Sequence, residues 1–122
     1  MDKKFFVPFD TAKLLKEKGY PQGDSDMYYN PNGELFTRTE LDAGYKEEYP
    51  IMIKYYVAAP AYCEVLDWLV GKKIYIDIDN TAKCKWYCYM WEGGSAIGAT
   101  GQYFTREQAY NAAIVRALEE VI

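Results

Sequence analysis

Two carboxylates two residues apart, Asp77 and Asp79, and four aromatic rings, Tyr75, Tyr87, Tyr89 and Trp91, are the side chains whose types and spacing could do chemistry in this chain. They sit in two alternating runs. In the first, Ile74, Ile76 and Ile78 share one parity while Tyr75, Asp77 and Asp79 share the other; in the second, Trp86, Cys88 and Met90 alternate with Lys85, Tyr87, Tyr89 and Trp91. Period-two alternation of this length predicts paired strands with two chemically different faces. The aromatic face offers a stacking platform for bases, sugars or a protein partner, unless a helix or another hairpin covers it. Asp77 and Asp79 on the same face oppose polyanion binding, so a protein contact, self-association included, suits it best. The run fails as a calcium loop: position six is Ala82 and position twelve is Cys88, where glycine and a chelating glutamate are required.

Other chemistry is narrowed by composition. The chain contains no histidine, which removes Ser-His and Cys-His nucleophilic devices and the commonest metal ligand. The three cysteines are Cys63, Cys84 and Cys88. Cys84 and Cys88 lie about 13 Å apart if the strand is straight, and three thiols fall short of a structural zinc set. Buried, hydrophobic cysteine is the simpler expectation, and neither a metal site nor a cofactor is expected. The glycines from Gly93 to Gly101 lack a phosphate-binding lysine and read as a flexible connection.

Tyr75 to Thr81 reads Tyr-Ile-Asp-Ile-Asp-Asn-Thr, which resembles the first motif of haloacid-dehalogenase-type phosphotransferases. The resemblance implies Asp77 as nucleophile, Asp79 as general acid and Mg2+ between carboxylate and phosphate. That family places the motif early, on a parallel sheet followed by a helix, with a basic residue and an acidic pair further on. Here a second strand run follows at once and no distal Asp pair exists, so a Mg-dependent phosphatase is a remote alternative. The simpler reading makes Asp77 and Asp79 strand-end carboxylates paired with Lys85 and Lys83.

The elements that must position these residues follow from caps, turns and periodicity. Phe9-Asp10 starts a first helix, with Asp10 as N-cap and Phe9 stapled to Leu14, and Gly19 and Pro21 stop it. Met27-Tyr28-Tyr29 and Glu34 to Thr37, joined by Asn30-Pro31-Asn32-Gly33, predict a hairpin. Arg38 to Tyr49 reads as a surface connection, with a helical turn after Thr39 as the alternative. Ile51-Met52-Ile53 and Tyr55-Tyr56-Val57 are strand candidates. Pro60 suits a first helical residue, and Tyr62, Val65, Leu66 and Leu69 repeat at helical spacing until Gly71, with Trp68 off that stripe. Tyr103-Phe104 could add a short strand. Thr105 and Gln108 form a capping box for a last helix whose buried stripe is Tyr110, Ala113, Ile114, Ala117, Leu118 and Val121.

The central hairpin has an expected register. With Asp79 facing Lys83, Asp77 meets Lys85 and Tyr75 meets Tyr87, while Ile78 meets Cys84, Ile76 meets Trp86 and Ile74 meets Cys88. Each pair is compatible and contributes ~0.2–1 kcal/mol. The expected core face is Ile74, Ile76, Ile78, Cys84, Trp86 and Cys88. With 122 residues, this is the size of a single domain spanning 1–122, burying roughly two thirds of its extended surface. The fold class is α+β: an antiparallel sheet of two hairpins plus a strand, with three helices mainly on one face.

The net charge of −4 argues against nucleic acid as the main partner. No membrane span or signal peptide is read, and an odd set of cysteines favours a reducing, cytoplasmic setting. Three stretches carry a wider likeness: Val7 to Tyr20, Ala59 to Leu69, and Tyr103 to Ala109 with its helix. They resemble small proteins encoded by phages and prophages of gut bacteria. The resemblance implies a phage-associated origin and assigns no functional residue. The expected function is a non-enzymatic protein-interaction module, its partner another protein or itself, with Tyr75, Tyr87, Tyr89 and Trp91 as binding residues. The alternative is a single-stranded nucleic-acid or carbohydrate binder using the same face.

Overall fold

A computed structural model of the chain describes residues 3–23, 25–44 and 55–122. The chain divides into two compact units, Phe6–Pro60 on the one hand and Ala61–Ile122 with Met1–Phe5 on the other. The class is α+β, with antiparallel strands and, among the described residues, four α-helices. The strands fall into two three-stranded sheets rather than the one expected.

In the Phe6–Pro60 unit, helix α1 spans Phe9–Glu17. Asp10 is not its cap. Pro8 stands at the N-cap with no side-chain bond, and Asp10 lies exposed in the first turn, 3.3 Å from Lys13 Nζ. The helix stops as expected at Gly19, where the Gly19 and Tyr20 amides donate to the Lys16 and Leu15 carbonyls. Strands β1 (Met27–Tyr29) and β2 (Leu35–Thr37) form the expected hairpin, with Tyr28 opposite Phe36. Asn30 Oδ1 closes the turn by accepting from the Asn32 and Glu34 amides at 3.0 and 2.9 Å.

The segment after β2 is not simply a connection. Arg38–Gly44 forms helix α2, and Leu41 is buried against Tyr28, Tyr56 and Ala58. Thr37 and Glu40 cap it reciprocally: Glu40 Oε1 accepts from the Thr37 amide and Thr37 Oγ1 from the Glu40 amide. The candidate strand Ile51–Ile53 lies outside the described residues. Strand β3 is Val57–Ala58 and pairs with β1, placing Tyr28 opposite Ala58. Tyr55 lies outside that strand and is exposed.

In the second unit, helix α3 spans Tyr62–Val70. Pro60 precedes its cap, Ala61, instead of opening the helix; alanine has no oxygen to offer, and the carboxylate of Glu64 accepts from the Ala61 amide at 3.0 Å. Val65 and Leu69 are fully buried on the expected stripe, and Trp68 carries Lys72 Nζ 4.8 Å from its ring centroid. Strands β4 (Ile74–Asn80), β5 (Trp86–Glu92) and β6 (Ser95–Ala99) form a meander with β5 in the centre. Tyr103 is not part of a strand but bridges to Trp86 through a pair of backbone bonds of 2.7 and 2.8 Å.

Helix α4 spans Arg106–Glu120 behind the expected capping box: Thr105 Oγ1 accepts from the Gln108 amide at 3.1 Å and Gln108 Oε1 from the Thr105 amide at 3.2 Å. Its fully buried residues are Ala109, Ala113, Ile114, Ala117 and Leu118. The small alanines let the helix lie close to the sheet, and Ile114 and Leu118 each contribute ~1.5–3 kcal/mol by leaving water.

Strand β6 is a correction. Gly93 to Gly101 reads as a flexible connection, yet Gly93-Gly94 is a two-residue hairpin turn, with Gly93 at φ +59°, and Ser95–Ala99 returns along β5. Its outer edge is held by α4: the Arg116 guanidinium donates to the Ala99 and Ile97 carbonyls at 3.0 and 3.4 Å. Gly98, at φ +142°, makes room for it, since a Cβ there would lie 3.1 Å from the guanidinium. Among the described residues no helix is long and apolar enough to cross a membrane.

Candidate aromatic binding face

The β4–β5 hairpin keeps the expected faces and changes every expected partner. Asp79 faces Tyr87, Asp77 faces Tyr89, Tyr75 faces Trp91, and on the other side Ile78 faces Cys88 and Ile76 faces Met90. The register is displaced by four residues because the turn is centred on residue 83 rather than on residue 81. Residues 81–85 form the loop: the Thr81 amide donates to the Lys85 carbonyl at 2.7 Å, and Thr81 Oγ1 accepts from the Lys83 and Lys85 amides. Cys84 takes a left-handed conformation at φ +58° to let the chain close. An even displacement preserves side-chain parity, so the faces survive.

The expected core face is corrected accordingly. Ile74, Cys88 and Met90 are buried, Ile76, Ile78 and Trp86 are half-buried, and Cys84 is exposed in the turn. Cys63 is also exposed, leaving Cys88 as the buried thiol. Burial pushes the Cys88 thiol up to about 12, with the nearby Asp77 charge adding to it.

The other face is open. Tyr75 and Tyr89 keep 41% and 39% of their surface exposed, while Tyr87 and Trp91 are half-buried along the same row. The rings of Tyr87 and Tyr89 meet edge to face at 5.0 Å and 77°, and those of Tyr89 and Trp91 lie 5.9 Å apart at 39°. The Tyr87 and Tyr89 hydroxyls share a hydrogen bond of 2.9 Å. That bond holds the Tyr87 proton and raises its pKa to about 12, with desolvation and then the charges of Tyr89 and Asp79 acting in the same direction. Thus all four aromatic residues singled out in the sequence share one face.

The expected Asp–Lys pairs do not form. Lys85 Nζ instead lies over the Phe104 ring, 5.3 Å from its centroid, and the Asp79 carboxylate accepts from the Asn80 amide. Asp77 and Asp79 are exposed and, among the described residues, in no ion pair. Their setting also differs from what the phosphotransferase motif requires: β4 is the edge strand of an antiparallel meander, and another strand follows it. Sequence reasoning missed the third strand and with it Ala96 and Ala99, which stand opposite Trp91 and Tyr89. Their small side chains leave the β6 flank of the rings low. The Gly-Gly pair was the available signal.

Elsewhere in the same unit, a cleft of about 250 Å3 opens between the first turns of α3 and α4, lined by Phe5, Tyr62, Cys63, Arg106 and Tyr110. Tyr62 and Tyr110 stack there at 6.3 Å. Among the described residues, no group of acidic and thiol side chains gathers that could hold a metal ion. No protein-family model matches the chain, and neither the curated proteins nor the solved structures hold a significant match to it.

Proposed function

We propose that this chain is a non-enzymatic, phage-associated interaction module working in the cytoplasm, and that it binds another protein through Tyr75, Tyr87, Tyr89 and Trp91. The carrying observation is the exposure of Tyr75 and Tyr89 on a sheet face whose reverse side packs against helices α3 and α4. Aromatic rings fixed on a strand present large area at small entropic cost, which is why such residues dominate protein contacts. The phage origin rests on the likeness of the three segments described above. The cytoplasmic setting is supported by three unpaired thiols, two of them exposed.

Affinity capture from host lysate with intact wild-type protein and with Tyr89→Ala, alongside light scattering of both, tests this reading. A partner protein captured by the wild type and lost in Tyr89→Ala supports it. A strict monomer with no partner, or capture indifferent to Tyr89→Ala, overturns it.

A further inference from the structure

We infer that the occupant of this face is a basic protein segment, one whose Arg or Lys side chains lie against the tyrosines and pair with Asp77 and Asp79. This rests on the proposed binding role of the aromatic face and adds the chemistry of the partner.

Register puts a carboxylate directly across from a ring twice over, Asp77 from Tyr89 and Asp79 from Tyr87. Directly opposed residues on one face have Cβ atoms ~4.5–5.5 Å apart. A guanidinium or ammonium group laid on such a ring therefore lies within reach of the carboxylate beside it. The ring attracts the cation through its negative face, the carboxylate through its charge, and the aliphatic stem covers ring carbons.

Charge selects among occupants. Both carboxylates are exposed and lack an ionic partner among the described residues, so an incoming cation completes pairs that the fold leaves open. A phosphate backbone meets repulsion at the same two points. A second copy docked face to face adds two more carboxylates to the same contact, which disfavours symmetric self-association here. The alternation of the face suits an extended partner, since side chains two apart on a strand repeat at the spacing of Tyr87, Tyr89 and Trp91.

The experiment is a calorimetric titration of the intact protein with a synthetic peptide carrying arginine at alternate positions. Amide chemical shifts locate its site, and the same peptide with glutamate for arginine, oligothymidylate and a neutral oligosaccharide serve as controls. The arginine peptide binds, shifts the amides of β4 and β5, and weakens as salt rises. Asp77→Asn with Asp79→Asn weakens it about tenfold, the sum of two exposed charge contacts. No binding of the arginine peptide, equal binding by the doubly substituted protein, or tighter binding of either uncharged or anionic control overturns the inference. If a captured partner is lost with Tyr89→Ala yet retained by the Asp77→Asn, Asp79→Asn protein, the aromatic face stands as a binding site and its basic specificity falls. Shifts confined to other elements, with capture indifferent to Tyr89→Ala, remove both.

Discussion

The two faces of the β4–β5 hairpin are built from one alternating sequence and end in opposite conditions. Ile74, Cys88 and Met90 retain 2%, 0% and 1% of their surface, whereas Tyr75 and Tyr89, their neighbours along the strands, retain 41% and 39%. The buried side is packed by the stripe of α4 and stabilises the fold. The open side is ordered by the same backbone bonds but contributes less burial, Tyr87 and Trp91 being half-buried and Tyr75 and Tyr89 exposed. A strand can therefore bury one set of alternate residues and present the other to solvent.

The largest break in this comparison comes from the buried side. Met90→Ala removes a fully buried side chain and costs about 2–5 kcal/mol, read as a lower urea midpoint. Alkaline pH acts next. The folded protein holds the Cys88 proton more tightly than the unfolded chain, so that contribution is whole below the ordinary value of 9.0 and is lost as pH rises toward about 12. Denaturation midpoints measured at increasing pH fall over this range, and fall less in Cys88→Ala. Tyr87 acts in the same sense from 10.0 upward, and absorbance titration shows a phenol ionising late, restored toward the ordinary value by Tyr89→Phe.

On the open side, Tyr89→Ala costs under about 1 kcal/mol while abolishing partner binding. A loss as large as that of Met90→Ala makes the aromatic row a packing element and erases the contrast. The smallest effect belongs to Asp77→Asn with Asp79→Asn, which leaves stability within about 0.5 kcal/mol. These exposed carboxylates are in no ion pair among the described residues, so a larger change in the urea midpoint places them in the fold's own stability.

Residue patterns made some of this legible and hid the rest for physical reasons. Parity was readable, because a core accepts one side of an alternating strand and water the other. Register was not, since it depends on a five-residue loop closed by Thr81 and by a cysteine at φ +58°, a conformation cysteine rarely adopts. The Thr105 box announced α4, whereas the same chemistry at Thr37 and Glu40 went unread, because the charged residues around Leu41, a buried anchor of α2, made the segment look like a surface connection. Ser95–Ala99 has one bulky residue, Ile97, among small ones, too few for a typical strand signal. It is held from outside by Arg116, a partner that local sequence does not reveal. The shared face of Tyr75, Tyr87, Tyr89 and Trp91 was readable because aromatic side chains at one parity identify a face whatever their cross-strand partners.

The Arg116 clamp has a consequence for the newborn chain. β6 is an edge strand, and an open edge is a template for pairing with another chain. Arg116 lies 17 residues beyond Ala99 and on another element, so β5 and β6 can pair before their guard is in place, and the edge is covered only once α4 docks. The hazard therefore belongs to any state in which α4 has come away from the sheet, and it ends when the helix returns.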